Sequence, residues 1–184
     1  MVRSRRLITV SNLLSGVRLL LAPVFAWFLF SGAWMAAVWV FCAASLSDFL
    51  DGYFARRFRE QTVAGQYLDP LADKAFLLAA LGAFGFGIVP VPQWFVWFVF
   101  VRELIIVAGS CVVVAVTGRA VYPSLWGKLT TVVYLALIGL GVIYRLLGFS
   151  FGRGFFFFLY GVFGVALISL LDYLIFGVRA LRKR

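Results

Sequence analysis

At 184 residues the chain has the length of one domain, and 64% of its residues are hydrophobic against 13% charged. With a mean hydropathy of +1.05 this excludes an ordinary soluble globular protein and predicts an all-α integral membrane protein. A formal charge of +10 would suit nucleic acid, but the basic residues gather at the ends of apolar segments, where anionic headgroups and membrane topology account for them, so no nucleic-acid partner is expected.

The N-terminal MVRSRR lacks a small-residue cleavage site and reads as a retained start. A membrane span needs about 20 mostly apolar residues, and six candidates follow in order. The first covers Leu13 to Phe30, with Ser11 or Asn12 as its cap, and the second runs from Ala33 to Arg56. The third covers Gln66 to Ile88, after which the two prolines of VPVPQ stop the helix. The fourth, fifth and sixth cover Trp94 to Thr117, Leu125 to Leu147 and Phe155 to Phe176. Residues 1–184 then form a single membrane domain with six transmembrane helices. Cys42 and Cys111 lie in apolar segments without metal or redox spacing and read as small buried hydrophobes. Twelve of the 17 Lys and Arg residues fall on the side of the termini, against Arg145 and Arg153 on the other. Both termini are therefore expected in the cytoplasm.

The second and third spans carry four of the seven acidic residues, Asp48, Asp51, Asp69 and Asp73. Asp48 and Asp51 are three apart and Asp69 and Asp73 four apart, so on helices each pair projects from one face. The polar run with Arg56, Arg57, Arg59 and Glu60 is the place for a turn. An antiparallel hairpin there would set Asp48 near Asp73 and Asp51 near Asp69. Four carboxylates so close repel unless cations lie among them. The chain has no His, so the ligand set is all oxygen, which favours Mg2+, Mn2+ or Ca2+ over zinc or copper. Helix caps or partners for Arg56 and Arg57 would have no reason to sit one to two turns inside apolar segments.

This stretch resembles the CDP-alcohol phosphatidyltransferases, whose signature reads D-x2-D-G-x2-A-R-x8-G-x3-D-x3-D. Asp48, Asp51, Gly52, Ala55, Arg56, Gly65, Asp69 and Asp73 match it without gap or substitution. The resemblance implies that the four aspartates bind one or two divalent cations, Mg2+ or Mn2+, with Asp73 also the catalytic base on the acceptor hydroxyl. It implies that Asp48, Asp51, Gly52, Ala55, Arg56 and Gly65 form the nucleotide site for CDP-diacylglycerol. The hydroxyl of a glycerol-type acceptor attacks the phosphorus next to diacylglycerol, and CMP leaves. A homodimer in a bacterial inner (cytoplasmic) membrane is expected, its active site facing the cytoplasm, where nucleotide-activated lipids present their cytidine.

Three further cations are weighed as acceptor contacts. Arg102 lies well inside the fourth span, where a charge is costly unless paired or hydrated. Glu103 is its nearest partner, but adjacent helix residues diverge, which favours a shared polar cavity. Lys128 opens the fifth span in WGKLTT, a run resembling the family's G-K-x-x-T element with Thr131 matching. Arg18 suits an interhelix bond as well as a substrate contact. In the glycerol-3-phosphate branch, as the pattern is recognised, a further Arg follows the R-E pair and Gln ends the G-K-x-x-T-x-x-Q run. Here those places hold Ser110 and Tyr134. That favours a lipid acceptor, phosphatidylglycerol giving cardiolipin, over glycerol-3-phosphate giving phosphatidylglycerophosphate. Outside this class stand a metal-dependent hydrolase and a cation transporter using intramembrane carboxylates. Bunching of the carboxylates at one end counts against a transport path.

Overall fold

A computed structural model describes the backbone of residues 10–58, 63–117 and 124–182; side chains are described from residue 13, excepting 49, 51–58, 63–71, 73, 114, 115, 117 and 180–182. The described residues form helices and no strand: α1 (Val10–Ser31), α2 (Trp34–Phe58), α3 (Val63–Ala83), α4 (Gln93–Thr117), α5 (Leu125–Leu146) and α6 (Arg153–Arg182). They follow the six expected segments in order.

Local chemistry explains the stops. Gly32, at φ +71°, ends α1 in the left-handed region, and the Ala33 and Gly32 amides donate to the Phe28 and Leu29 carbonyls at 3.1 and 3.3 Å. This paired closure satisfies the last carbonyls and lets α2 start two residues later. Beyond α3 the chain widens into a π-helical turn, Phe84–Ile88, where Gly87 has φ +84° and Val89 is already extended. Pro90 and Pro92 prevent any continuation. The Arg145 Nε donates to the Ile88 carbonyl, which the end of the helix leaves unused. A Cβ on Gly141 would lie 3.0 Å from the Phe84 ring, so any larger residue there would push the ring aside.

Four helices contain stretches long and apolar enough to cross a membrane: Leu13–Ser31, Gln93–Val113, Leu125–Leu146 and Arg153–Arg179. In α2 and α3 the apolar stretches among the described residues are shorter, Trp34–Asp48 and Lys74–Ile88. The acidic motif occupies the other half of each of these two helices.

Two compact units divide the chain, residues 1–89 with 141–148, and 90–140 with 149–184. In the first, α1 packs along α2 and α3. Small buried residues on all three (Ala22, Ala37, Ala44, Ala80) permit close approach, and Phe25 stacks on Phe76 with ring centroids 5.0 Å apart. In the second, α4 packs on α6. Phe163 meets Trp94 and Phe98 edge-on there, with centroids 5.2 and 4.8 Å away. Large apolar side chains face outward throughout, among them Trp27, Trp39, Trp97, Leu104 and Phe157. Exposure on this scale suits lipid contact. Cys42 and Cys111 are exposed too, contrary to the expected burial, because they lie on these outward faces.

Candidate active site

The backbone places the acidic motif on two helices, as the residue spacing requires. Asp48, Asp51, Gly52, Ala55 and Arg56 lie on the second half of α2, and Gly65, Asp69 and Asp73 on the first half of α3. The side chains of Asp51, Asp69 and Asp73, and with them the expected pairing across the hairpin, lie outside the described residues. So do Gly52, Ala55, Arg56 and Gly65.

Asp48 is described, and it is anchored. Its Oδ1 lies 3.0 Å from Nη1 of Arg18 on α1; the arginine side chain is 3% exposed and the aspartate 50%. Beside it the Ser47 hydroxyl donates to the Leu14 carbonyl at 3.2 Å. Residues 14 and 18 are one α1 turn apart, so the α1–α2 crossing is held at two successive levels. Of the two readings left open for Arg18, the interhelix bond is the one observed.

In the second unit Arg102 is buried among polar groups. Its Nε donates to the Ala166 carbonyl at 3.2 Å, its Nη2 to the Ser169 hydroxyl at 2.9 Å, and its Nη1 pairs with Glu103. The guanidinium also lies 5.7 Å from the centre of the Tyr134 ring. The long arginine arm curls back to Glu103, the nearest partner expected from the sequence, and also reaches α6. Ala166, Ser169 and Tyr173 were not singled out from the sequence, although their spacing places them on one face of an apolar helix. Tyr173 pairs with Ser110, whose hydroxyl also donates to the Ile106 carbonyl at 2.7 Å.

Lys128 and Thr131 sit on the exposed early turns of α5. Ser124 caps that helix, its hydroxyl accepting from the Gly127 amide at 3.2 Å. The Thr131 hydroxyl donates to the Gly127 carbonyl at 3.3 Å. The aspartates thus belong to the first unit, and Arg102, Lys128 and Thr131 to the second.

Among the described residues no three ligating side chains converge, and Asp48 is the one motif carboxylate among them. The donor chemistry still fits a hard cation. All candidate ligands are carboxylates in a chain without His, and the Asp48 carboxylate is half exposed beyond its bond to Arg18.

Residues 8–174 match the CDP-alcohol phosphatidyltransferase family, and the chain belongs to it. It is therefore an enzyme of phospholipid synthesis, and the transporter reading has no support. Enzymes of this family in general depend on a divalent cation. Over 136 residues the chain is 32% identical to the CDP-diacylglycerol–glycerol-3-phosphate 3-phosphatidyltransferase of Aquifex aeolicus, covering 73% of this chain and 76% of the relative. It is 35% identical over 147 residues to a probable phosphatidylglycerophosphate synthase of Mycobacterium tuberculosis, covering 75% and 68%. The CMP-forming cardiolipin synthase of Streptomyces coelicolor is 30% identical over 177 residues, covering 90% and 76%.

Proposed function

We propose that this enzyme transfers the phosphatidyl group of CDP-diacylglycerol to phosphatidylglycerol, forming cardiolipin and CMP. The observation that carries the donor half is the unbroken eight-residue signature on α2 and α3, in a chain that matches the family over residues 8–174. Asp48, Asp51, Asp69 and Asp73 hold one or two Mg2+ or Mn2+ ions, which neutralise the diphosphate when bound. Gly52, Ala55 and Gly65 leave room for the cytidine diphosphate, and Arg56 meets its charge. Asp73 orients the acceptor hydroxyl and takes its proton as the new oxygen–phosphorus bond forms and the bond to CMP breaks.

For the acceptor half we assign Arg102, Lys128 and Thr131 as contacts. Glycerol-3-phosphate is a small dianion that calls for several fixed cations. The position where its branch adds Arg holds the uncharged Ser110, and the position of its Gln holds Tyr134. The Ser110 hydroxyl is engaged by Tyr173 and Ile106, and Tyr134 is 1% exposed. Phosphatidylglycerol carries one phosphodiester charge and is held at the interface by its own chains. The names of the Aquifex and Mycobacterium relatives favour the second reading, glycerol-3-phosphate giving phosphatidylglycerophosphate.

Purified protein incubated with CDP-diacylglycerol and each acceptor separately decides between them. Cardiolipin from phosphatidylglycerol is expected. Phosphatidylglycerophosphate, with no product from phosphatidylglycerol, would overturn the acceptor and leave the donor chemistry standing. CMP release equally fast without any acceptor would point to a hydrolase.

The membrane setting belongs to the same proposal. All six helices cross a bacterial inner membrane, α2 and α3 carrying the acidic motif to the cytoplasmic interface, with both termini on that side and the charge asymmetry in support. A homodimer fits the abundance of outward Phe and Trp. Crosslinking in native membranes tests it.

A further inference from the structure

Arg18 is a charged side chain of the first unit that the transfer chemistry leaves without a task. It is 3% exposed and followed on α1 by the apolar run Leu19 to Phe30. A guanidinium does not shed its proton in proteins, so burying it is costly unless an anion or hydrogen-bond acceptors compensate. Asp48, the first aspartate of the motif, supplies compensation at 3.0 Å. The geometry is built into the helix crossing. Ser47 bonds to Leu14 one turn earlier, and buried Ser15, Ala22 and Ala44 let the helices approach. The pair is also one-sided, for the arginine is enclosed while half of the aspartate surface stays open. A helix glue would gain nothing from that asymmetry. A ligand-bearing carboxylate gripped from behind requires it.

We propose that Arg18 is a positioning residue and the built-in counter-cation of the acidic motif. It fixes the Asp48 carboxylate from the α1 side and offsets part of the motif's negative charge whenever no divalent ion is bound. This rests on the reading that Asp48 and the other three motif aspartates hold the divalent cation. Carboxylates gathered in one site repel each other strongly without a cation among them. A charge that arrives with the metal is present only with the metal, whereas a buried arginine is present throughout.

The test is thermal unfolding of the purified full-length protein in detergent, with chelator or with MgCl2 or MnCl2 alone. Arg18→Gln should unfold at lower temperature than wild type in chelator. Its metal-induced rise in Tm should exceed that of wild type, because the ion then replaces the missing charge. Arg18→Lys, which keeps the charge, should return the metal response most of the way to wild type. At saturating metal, Arg18→Gln should also lose about tenfold in kcat, about 1.4 kcal/mol in barrier height, with KM for the acceptor unchanged. A contact that merely joins two helices would lower Tm equally with and without metal, and such a parallel shift overturns the proposal.

Should Arg18→Gln fail to fold, the pairing can be tested in the Asp48→Asn background. There Arg18→Gln should fold, since no unopposed carboxylate is left at position 48, and a double variant that also fails to fold overturns the proposal. Asp48→Asn with wild-type activity and metal response would sink the metal-site reading itself. An inactive Asp48→Asn beside an Arg18→Gln protein of unaltered metal response would sink the role of Arg18 alone.

Discussion

Two buried arginines face the same physical problem in the two units and solve it differently. Arg18 on α1 has a half-exposed carboxylate as partner, so its ion pair keeps one open side. Arg102 on α4 is closed in by Glu103, Ser169 and the Ala166 carbonyl, all of them buried. A closed knot of this kind ties α4 to α6, because both helices supply partners that no solvent could replace. An open pair leaves the carboxylate free to hold something else. Burial of the acid, more than presence of the arginine, separates the tie from the site.

The largest effect should come from the open side. Asp73→Asn is nearly isosteric and should abolish turnover while the thermal transition and helix content stay as in wild type. Activity retained within about tenfold, or roughly 1.4 kcal/mol in barrier height, would break the carboxylate account of this site. Asp51→Asn should lose metal binding and turnover together, measured by isothermal titration with Mn2+ beside the CMP assay.

Next should come the closed knot. Arg102→Met removes the buried ion-pair partner of Glu103, and breaking such pairs costs about 3–5 kcal/mol. Chemical unfolding should show a loss on that scale, partly regained in Arg102→Met with Glu103→Gln. If stability is unchanged and only the KM for the acceptor rises, Arg102 belongs to the substrate site more than to the tie.

Ser169→Ala removes a single neutral acceptor from Arg102 and should cost about 1–2 kcal/mol. The smallest effect is expected from Ser47→Ala, which leaves the Arg18 pair in place and should cost about 0.5–1.5 kcal/mol. A Ser47→Ala loss as large as that of Arg102→Met would erase the distinction between the two regions.

The helices and their order were legible in the chain itself. Apolar runs near bilayer length and the prolines of VPVPQ are local signals, and each was met by a helix or a stop where expected. The acidic motif was legible for the same reason, since eight residues at fixed spacing on two helices need no tertiary information to be recognised. What could not be read was which charged and polar groups meet across helices. The bond of Arg18 to Asp48 spans 30 residues and that of Arg102 to Ser169 spans 67, and neither follows from helical periodicity. Burial of the cysteines was misjudged because an apolar segment in lipid has no inward preference for a small sulfur side chain. Periodicity determines which residues share a face of one helix. Only packing decides which face turns inward and, through that, which arginine has a half-exposed carboxylate as partner and which has a buried one.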